Sequence, residues 1–121
     1  MTHELSQSFY FEAAHTLQRE VAAQPSRRVH GHTYIAEITL RGQPDAASGM
    51  LVDLGLLRRA IETIRLDLDH HFLNDVEGLG APTLENLCSY LWKRFAPQFA
   101  SLARVTVRRD QSGDRCTMHA D

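Results

Sequence analysis

Two histidines separated by one glycine, His30 and His32, have the spacing that most directly implies chemistry in this sequence. They open a segment in which apolar and polar residues alternate, as in a half-buried β-strand. Because alternate side chains leave the same face of a strand, both imidazoles are expected to point in one direction. Such a pair can supply two of the three protein ligands that a catalytic zinc site commonly uses.

A third ligand has to come from a neighbouring strand, and His15 is the natural candidate. It follows an earlier alternating segment, in phase with Phe9 and Phe11. The spacing leaves a plainer alternative open, in which His30 and His32 are surface or hydrogen-bonded histidines without a metal.

A second chemically useful pair, Asp69 and His70, follows a predicted helix. A carboxylate beside an imidazole fixes the ring tautomer and stabilises the protonated ring, which suits proton transfer. The same dipeptide also fits a helix end with a solvated histidine, and the residues alone do not separate the two interpretations. The adjacent His71 has no assigned role and is expected at the surface or behind the site.

Four strands and two helices are predicted to position these residues. Alternation predicts strands over residues 4–13, 32–42, 103–110 and 115–120, the last two forming a hairpin with a turn at 111–114. Apolar residues at three-and-four spacing predict helices over 53–68 and from the N-cap Thr83 to Pro97. Residues 16–29 lack periodicity and are predicted to form a loop. The order ββααββ indicates an α+β domain, an antiparallel four-stranded sheet with two helices on one face.

The two open edges of such a sheet favour pairing with another copy, so a homo-oligomer is expected. The 121 residues fit a single domain. Thirteen basic against fifteen acidic residues, with no long basic block, argue against a nucleic-acid-binding face.

The N-terminus has neither a basic leader nor an apolar run, and no segment approaches the roughly 18 apolar residues of a membrane span. We therefore expect a cytoplasmic protein without a membrane segment. Cys88 and Cys116 form no CxxC pair and are expected to be free thiols, with Cys88 on the apolar side of a helix and therefore in the core.

Five segments, in this order and at these intervals, resemble the 6-pyruvoyl-tetrahydropterin synthase family, including its bacterial 6-carboxytetrahydropterin synthase branch. They are FYFEAAHTL, RRVHGHTY, GMLVDLGLL, LDHHFLND and PTLENLCSYLW. HGH alone is a weak signal, but the set covers most of the chain and is specific. LDHHFLND is nearer the bacterial branch, which serves queuosine-type deazaguanine biosynthesis.

The resemblance implies one tunnelling-fold domain over residues 1–121, in which three subunits join their sheets into a barrel and two trimers stack as a hexamer. Active sites would lie between subunits. His15, His30 and His32 match the family's zinc ligands, and Asp69 and His70 its catalytic aspartate and histidine. The family's substrate is 7,8-dihydroneopterin triphosphate, whose side-chain hydroxyls the zinc polarises.

Ser26 stands where the family has its catalytic cysteine, four residues before the first histidine of HGH. A serine hydroxyl has a far higher pKa than a free thiol, which titrates near about 8.5, so it needs strong activation to accept the same proton. Glu20, in the same loop, is a weak match to a glutamate that some members use nearby.

Arg109 and Asp110 stand where the family usually has a glutamate and a threonine. That glutamate accepts hydrogen bonds from the pterin, whereas arginine only donates, and Asp110 could accept only if the strand shifted by one residue. Arg109 and Asp110, with Arg28 beside HGH, are the residues assigned to ligand binding.

Two functions follow from this pattern. The first is a zinc-dependent lyase of this family that acts on a dihydroneopterin-type substrate with altered or weak classical activity, such as retro-aldol cleavage of the side chain. The second is a non-catalytic, zinc-containing protein that binds a pterin- or purine-like molecule. A purely structural oligomer would leave the histidine cluster without a role.

Overall fold

The structure, a computed structural model of residues 1–121, is a five-stranded sheet with its core between one face and two long helices. The α+β class is confirmed. The strands are β1 (His3–His15), β2 (His30–Gly42), β3 (His71–Phe72), β4 (Leu102–Arg109) and β5 (Asp114–His119). They lie in the sheet in the order β3-β1-β2-β4-β5.

The long antiparallel pair β1 and β2 forms the centre of the sheet. It pairs from His3 opposite Gly42 to His15 opposite His30. The predicted alternation is confirmed, because Phe11 and Tyr34 are fully buried on the helix-covered face. All three histidines of the predicted metal site therefore lie at one end of this pair.

Both predicted helices are present, with ends set by side-chain caps. Asp53 accepts a hydrogen bond at 2.8 Å from the Gly55 N–H before α2 (Leu54–Leu66). Thr83 accepts one at 3.1 Å from the Asn86 N–H before α3 (Leu84–Phe95). Their buried faces pack on the sheet through Leu57, Ala60, Ile61, Ile64, Leu87, Cys88, Tyr90, Leu91 and Phe95.

The prediction of four strands was wrong by one. The extra strand, β3, pairs parallel with β1 through only two residue pairs, Ala13 with His71 and Ala14 with Phe72. Two residues are too few to show an alternating pattern. A 3-10 turn, Leu73–Asp75, follows directly.

The predicted loop at 16–29 contains a five-residue helix, α1 (Ala23–Arg27). Ala22, immediately before it, has a φ of 55° in the left-handed region. One helical turn is too short for an apolar period, which explains why the sequence pattern missed it.

The hairpin of β4 and β5 agrees with its prediction, with Arg109 paired opposite Asp114. Gly113 in its turn has a φ of 78°, which glycine adopts without steric cost. Both cysteines are free, and Cys88 is buried in the core as expected. The helices are all too short or too polar to cross a membrane.

Candidate metal centre

Three imidazole nitrogens converge where β1 ends and β2 begins. The Nε2 atom of His15 lies 3.0 Å from Nε2 of His30 and 3.0 Å from Nε2 of His32. His15 reaches them because the strand register sets it opposite His30, while Ala13 is opposite His32. The arrangement offers one ligand atom per residue within 4.8 Å of one another.

Backbone carbonyls fix the tautomers of two of these rings. The Nδ1 atom of His15 is 3.0 Å from the Pro82 carbonyl oxygen, and that of His30 is 2.7 Å from the Arg28 carbonyl oxygen. A carbonyl only accepts, so each Nδ1 carries the proton and donates it. The Nε2 lone pairs of His15 and His30 consequently face each other.

Two lone pairs at 3.0 Å repel unless a cation lies between them. Three imidazole Nε2 atoms, each with its other nitrogen available to an outer acceptor, are a usual donor set for catalytic zinc. The residues present therefore fit the zinc ion that the sequence predicts, with His15, His30 and His32 as its ligands.

Burial favours the neutral form of His15 and His32. His15 is 1% exposed, and burial is the main cause that lowers its pKa. Burial, followed by the nearby Arg109 guanidinium, lowers the pKa of His32 to about 4. Burial also raises the pKa of Tyr34, whose hydroxyl is 3.3 Å from His15 Nδ1, to about 12. His15 and His32 are therefore uncharged at neutral pH.

Asn74 fixes the end of β1, directly after His15. Its Oδ1 atom accepts a hydrogen bond from the Thr16 N–H at 2.9 Å, and its Nδ2 atom donates to the Thr16 carbonyl oxygen at 3.2 Å. These paired bonds substitute for a strand partner where β3 has ended. Asn74 belongs to the LDHHFLND segment, but its role was not predicted, since nothing in the sequence shows that it meets Thr16.

The Asp69–His70 pair lies at the end of α2 beside β1. Oδ2 of Asp69 is 2.9 Å from Nδ1 of His70, and Oδ1 accepts from the Glu12 N–H at 2.9 Å. Arg65 adds a third contact at 3.3 Å. The Glu12 hydrogen bond is the main cause that holds the pKa of Asp69 below its usual range, so the carboxylate stays charged.

His70 has the opposite environment to the three clustered histidines. Its side chain is 76% exposed, and its φ of 59° is unusual for a residue with a Cβ. Its N–H donates to the Glu12 carbonyl oxygen, which helps to fix this conformation. The hydrogen bond to Asp69 occupies Nδ1 and leaves Nε2 available to a ligand.

One cleft joins the two groups. It has a volume of about 550 Å³ and is lined by both His32 and His70, with Glu12 and Gln111 among its other walls. A molecule in this cleft would contact both His32 and His70, whereas His15, His30 and Asp69 do not line it.

Ser26 is turned to the protein backbone. It is 4% exposed, and its hydroxyl lies 2.8 Å from the Ala23 carbonyl oxygen and 3.0 Å from that of Leu17. Both are acceptors, so the hydroxyl proton is used to hold α1 against the preceding loop. Glu20, in that loop, is exposed.

The three residues predicted to bind ligand differ in position. Arg109 reaches the cluster, with its Nη1 atom 3.5 Å from His32 Nε2. Asp110 instead accepts from Arg108 Nε at 2.9 Å. The carbonyl oxygen of Arg28 accepts the hydrogen bond from His30, and Arg28 is otherwise exposed.

The model of the 6-pyruvoyl tetrahydropterin synthase family matches residues 4–120, so the chain belongs to this family. It is 40% identical over 74 residues to 6-carboxy-5,6,7,8-tetrahydropterin synthase of Bacillus subtilis, a segment of 61% of this chain and 48% of that protein. It is also 29% identical over 84 residues to dihydroneopterin monophosphate aldolase of Pyrococcus furiosus, covering 69% and 67% of the two chains. The match spans about half the length of the first curated relatives.

The fold agrees with this family over the whole chain. The structure of Caenorhabditis elegans 6-pyruvoyl tetrahydropterin synthase superposes with a TM-score of 0.85 at 25% identity, covering 100% of this chain and 97% of that one. The tunnelling fold that the sequence predicts is thereby confirmed for this chain.

Proposed function

We propose that this protein is a zinc-dependent lyase of the 6-pyruvoyl tetrahydropterin synthase family that acts on a dihydroneopterin-type substrate. The observation that carries the proposal is the convergence of three Nε2 atoms, two with tautomers fixed by carbonyl oxygens. Zinc held by His15, His30 and His32 supplies Lewis-acid polarisation of a hydroxyl or carbonyl oxygen.

His70 is the proposed acid–base residue. Asp69 holds its Nδ1–H, so Nε2 can accept a proton from a hydroxylated side chain and return it elsewhere. The exposure of His70 suits a site that a substrate, or a second subunit, has to cover. The shared cleft with His32 supports this assignment.

Classical synthase activity is expected to be weak. The residue at the position of the family cysteine is a buried serine whose hydroxyl is bonded to two carbonyl oxygens. Retro-aldol cleavage needs fewer groups: a base takes the proton of the second side-chain hydroxyl, the bond between the first and second side-chain carbons breaks, and the first carbon is protonated. The similarity to an enzyme named as an aldolase supports this route.

The substrate test uses the zinc-loaded protein and 7,8-dihydroneopterin triphosphate, with products separated by chromatography. We expect slow turnover, with 6-hydroxymethyl-7,8-dihydropterin and a phosphorylated two-carbon aldehyde among the products. Rapid formation of a 6-pyruvoyl or 6-carboxy product would mean that another residue replaces the cysteine. Tight binding without turnover would favour the second candidate, a pterin- or purine-like binding protein, for which Arg109 in place of the pterin-binding glutamate is the supporting feature.

A homohexamer of two stacked trimers is the proposed assembly. The structure has two open sheet edges, β3 and β5, and an exposed His70. Light scattering at micromolar concentration measures the mass, and a stable monomer would contradict the proposal. A cytoplasmic location and a role in queuosine-type biosynthesis remain predictions, which the free thiols and the 6-carboxytetrahydropterin synthase relative support.

A further inference from the structure

Arg109 enters the metal centre from β4. It follows Val105 and Val107 at two-residue spacing, and both are fully buried, so its side chain leaves the helix-covered face of the sheet. There Nη1 lies 3.5 Å from His32 Nε2 and Nη2 donates to Asp114 Oδ2 at 2.8 Å. Only 17% of the side chain is exposed.

The guanidinium is incompletely satisfied. Its Nε atom is buried and has no hydrogen-bond partner. His32 Nε2 cannot accept from Nη1 while its lone pair binds a metal. A buried N–H group without a hydrogen-bond partner is destabilising. The guanidinium of Arg109 therefore favours a ligand that brings hydrogen-bond acceptor atoms to it.

The net charge of the site also favours an anionic ligand. Three neutral imidazoles, a divalent cation and Arg109 together carry three positive charges, and Asp114 offsets one of them. With only neutral ligands, the remaining positive charge stays uncompensated in a site that is largely shielded from water. An anionic oxygen reduces this positive charge. Ser112 donates to the same Asp114 oxygen at 2.8 Å, which further occupies the carboxylate.

Arg109 also lines a second cleft, of about 370 Å³, beside the metal centre. Arg19 lines this cleft as well, and Glu85 and Asp114 are the carboxylates among its walls. The cleft gives an anion a route to Arg109 that does not pass the Asp69–His70 pair.

We propose that Arg109 and the metal together bind an anionic oxygen group, a carboxylate or a phosphate ester, that the ligand carries next to the hydroxyl or carbonyl oxygen polarised by the metal. At this position a glutamate would accept hydrogen bonds from the ligand, whereas Arg109 donates them. The inference rests on the proposed function, because it requires a metal on the three histidines. Asp114 is a positioning residue, since its hydrogen bond holds the guanidinium beside His32.

The test uses the full-length protein loaded with Co²⁺, whose visible absorption reports changes in the metal's ligands. Acetate and inorganic phosphate are titrated separately at pH 7. We expect a saturable spectral change in the parent, and affinity weaker by about tenfold or more in Arg109→Gln, because a charge-assisted hydrogen bond is lost. Arg109→Lys keeps the charge and is expected to fall between the two.

Arg104→Gln is the matched control, since Arg104 lies on the same strand and pairs with Glu4 at 2.8 Å. It should bind both anions like the parent. Preference for acetate identifies a carboxylate, preference for phosphate identifies a phosphate ester, and equal binding supports the shared anionic oxygen.

Co²⁺ bound normally in the parent and in Arg109→Lys, with anion affinity that does not depend on Arg109, overturns this inference alone. Failure of the parent to bind Co²⁺ overturns the proposed metal site and the inference with it. Metal content and circular dichroism of each variant distinguish these results from misfolding. If Arg109→Gln does not fold, Arg109→Lys is compared with the parent instead.

Discussion

The histidine cluster and the Asp69–His70 pair each contribute one residue to the same cleft, His32 and His70, but are built in opposite ways. The cluster is formed by strand register and is held by main-chain carbonyls, with His15 only 1% exposed. The pair lies at a helix end, is held by a charged carboxylate, and leaves His70 76% exposed.

The difference separates two requirements of the chemistry. A metal needs neutral ligands that are held in place before it arrives. Burial favours neutral His15 and His32, and the carbonyl oxygens of Pro82 and Arg28 hold the rings of His15 and His30. A residue that exchanges protons with a substrate has to remain reachable until the substrate binds. Variants of the two regions should therefore have different effects: one set removes the metal, the other removes turnover and leaves the metal bound.

The largest effect is expected from His15→Ala. It removes the ligand that contacts both other imidazoles, so zinc content should fall from about one per chain to nearly none. Metal analysis after gel filtration measures this. His71→Ala is the control, since His71 bonds the Asp69 carbonyl oxygen through Nδ1 and has no contact with the cluster. Undiminished zinc in a folded His15→Ala protein would refute the ligand assignment.

Asp69→Asn should have a large effect on turnover alone. The amide cannot hold Nδ1–H of His70 as a charged acceptor does, so kcat should fall by about a hundredfold or more with zinc content unchanged. Asp67→Asn is a suitable control, because Asp67 pairs with Arg94 at 2.9 Å in a surface ion pair. Loss of zinc in Asp69→Asn would mean that the two regions are not separate.

Asn74→Ala tests whether the end of β1 positions His15. Loss of the paired hydrogen bonds to Thr16 should weaken zinc binding by about tenfold, as removal of outer supports of a metal site does. Competition with a chelator measures the affinity. Asn74→Asp keeps the acceptor for the Thr16 N–H and should recover part of the loss, and an unchanged affinity in Asn74→Ala would assign the asparagine to folding only.

A smaller effect concerns pH and the zinc-free protein. The pKa of His32 is about 4 in the folded chain and 6.5 in the absence of burial and of Arg109. Between these values the unfolded chain binds more protons, so the free energy of unfolding should decrease as pH falls from 7 towards 4. Urea midpoints at pH 7 and pH 5 in the presence of a chelator measure this, and His32→Gln should show a smaller decrease. An equal decrease in both proteins would show that other groups account for it.

Much of the arrangement was predictable because it depends on side-chain periodicity. Alternation placed His15, His30 and His32 on one face of the sheet, apolar spacing marked both long helices, and Thr83 marked the start of the second. Contacts between distant backbone atoms leave no such pattern. The carbonyl oxygen of Pro82, the Glu12 N–H and the amide of Asn74 are supplied by the fold, and two-residue β3 and one-turn α1 are too short for periodicity. Ser26 was judged by its position in the chain, whereas its hydrogen bonds decide what its hydroxyl does.

X-ray absorption at the zinc edge, on the parent protein reconstituted with zinc at neutral pH, shows which atoms bind the metal. We expect about three histidine nitrogens at about 2.0–2.1 Å and one further oxygen or nitrogen atom, with no sulfur. A sulfur ligand at about 2.3 Å would place the metal on Cys88 or Cys116 and refute the three-histidine site, as would zinc that the parent protein does not retain.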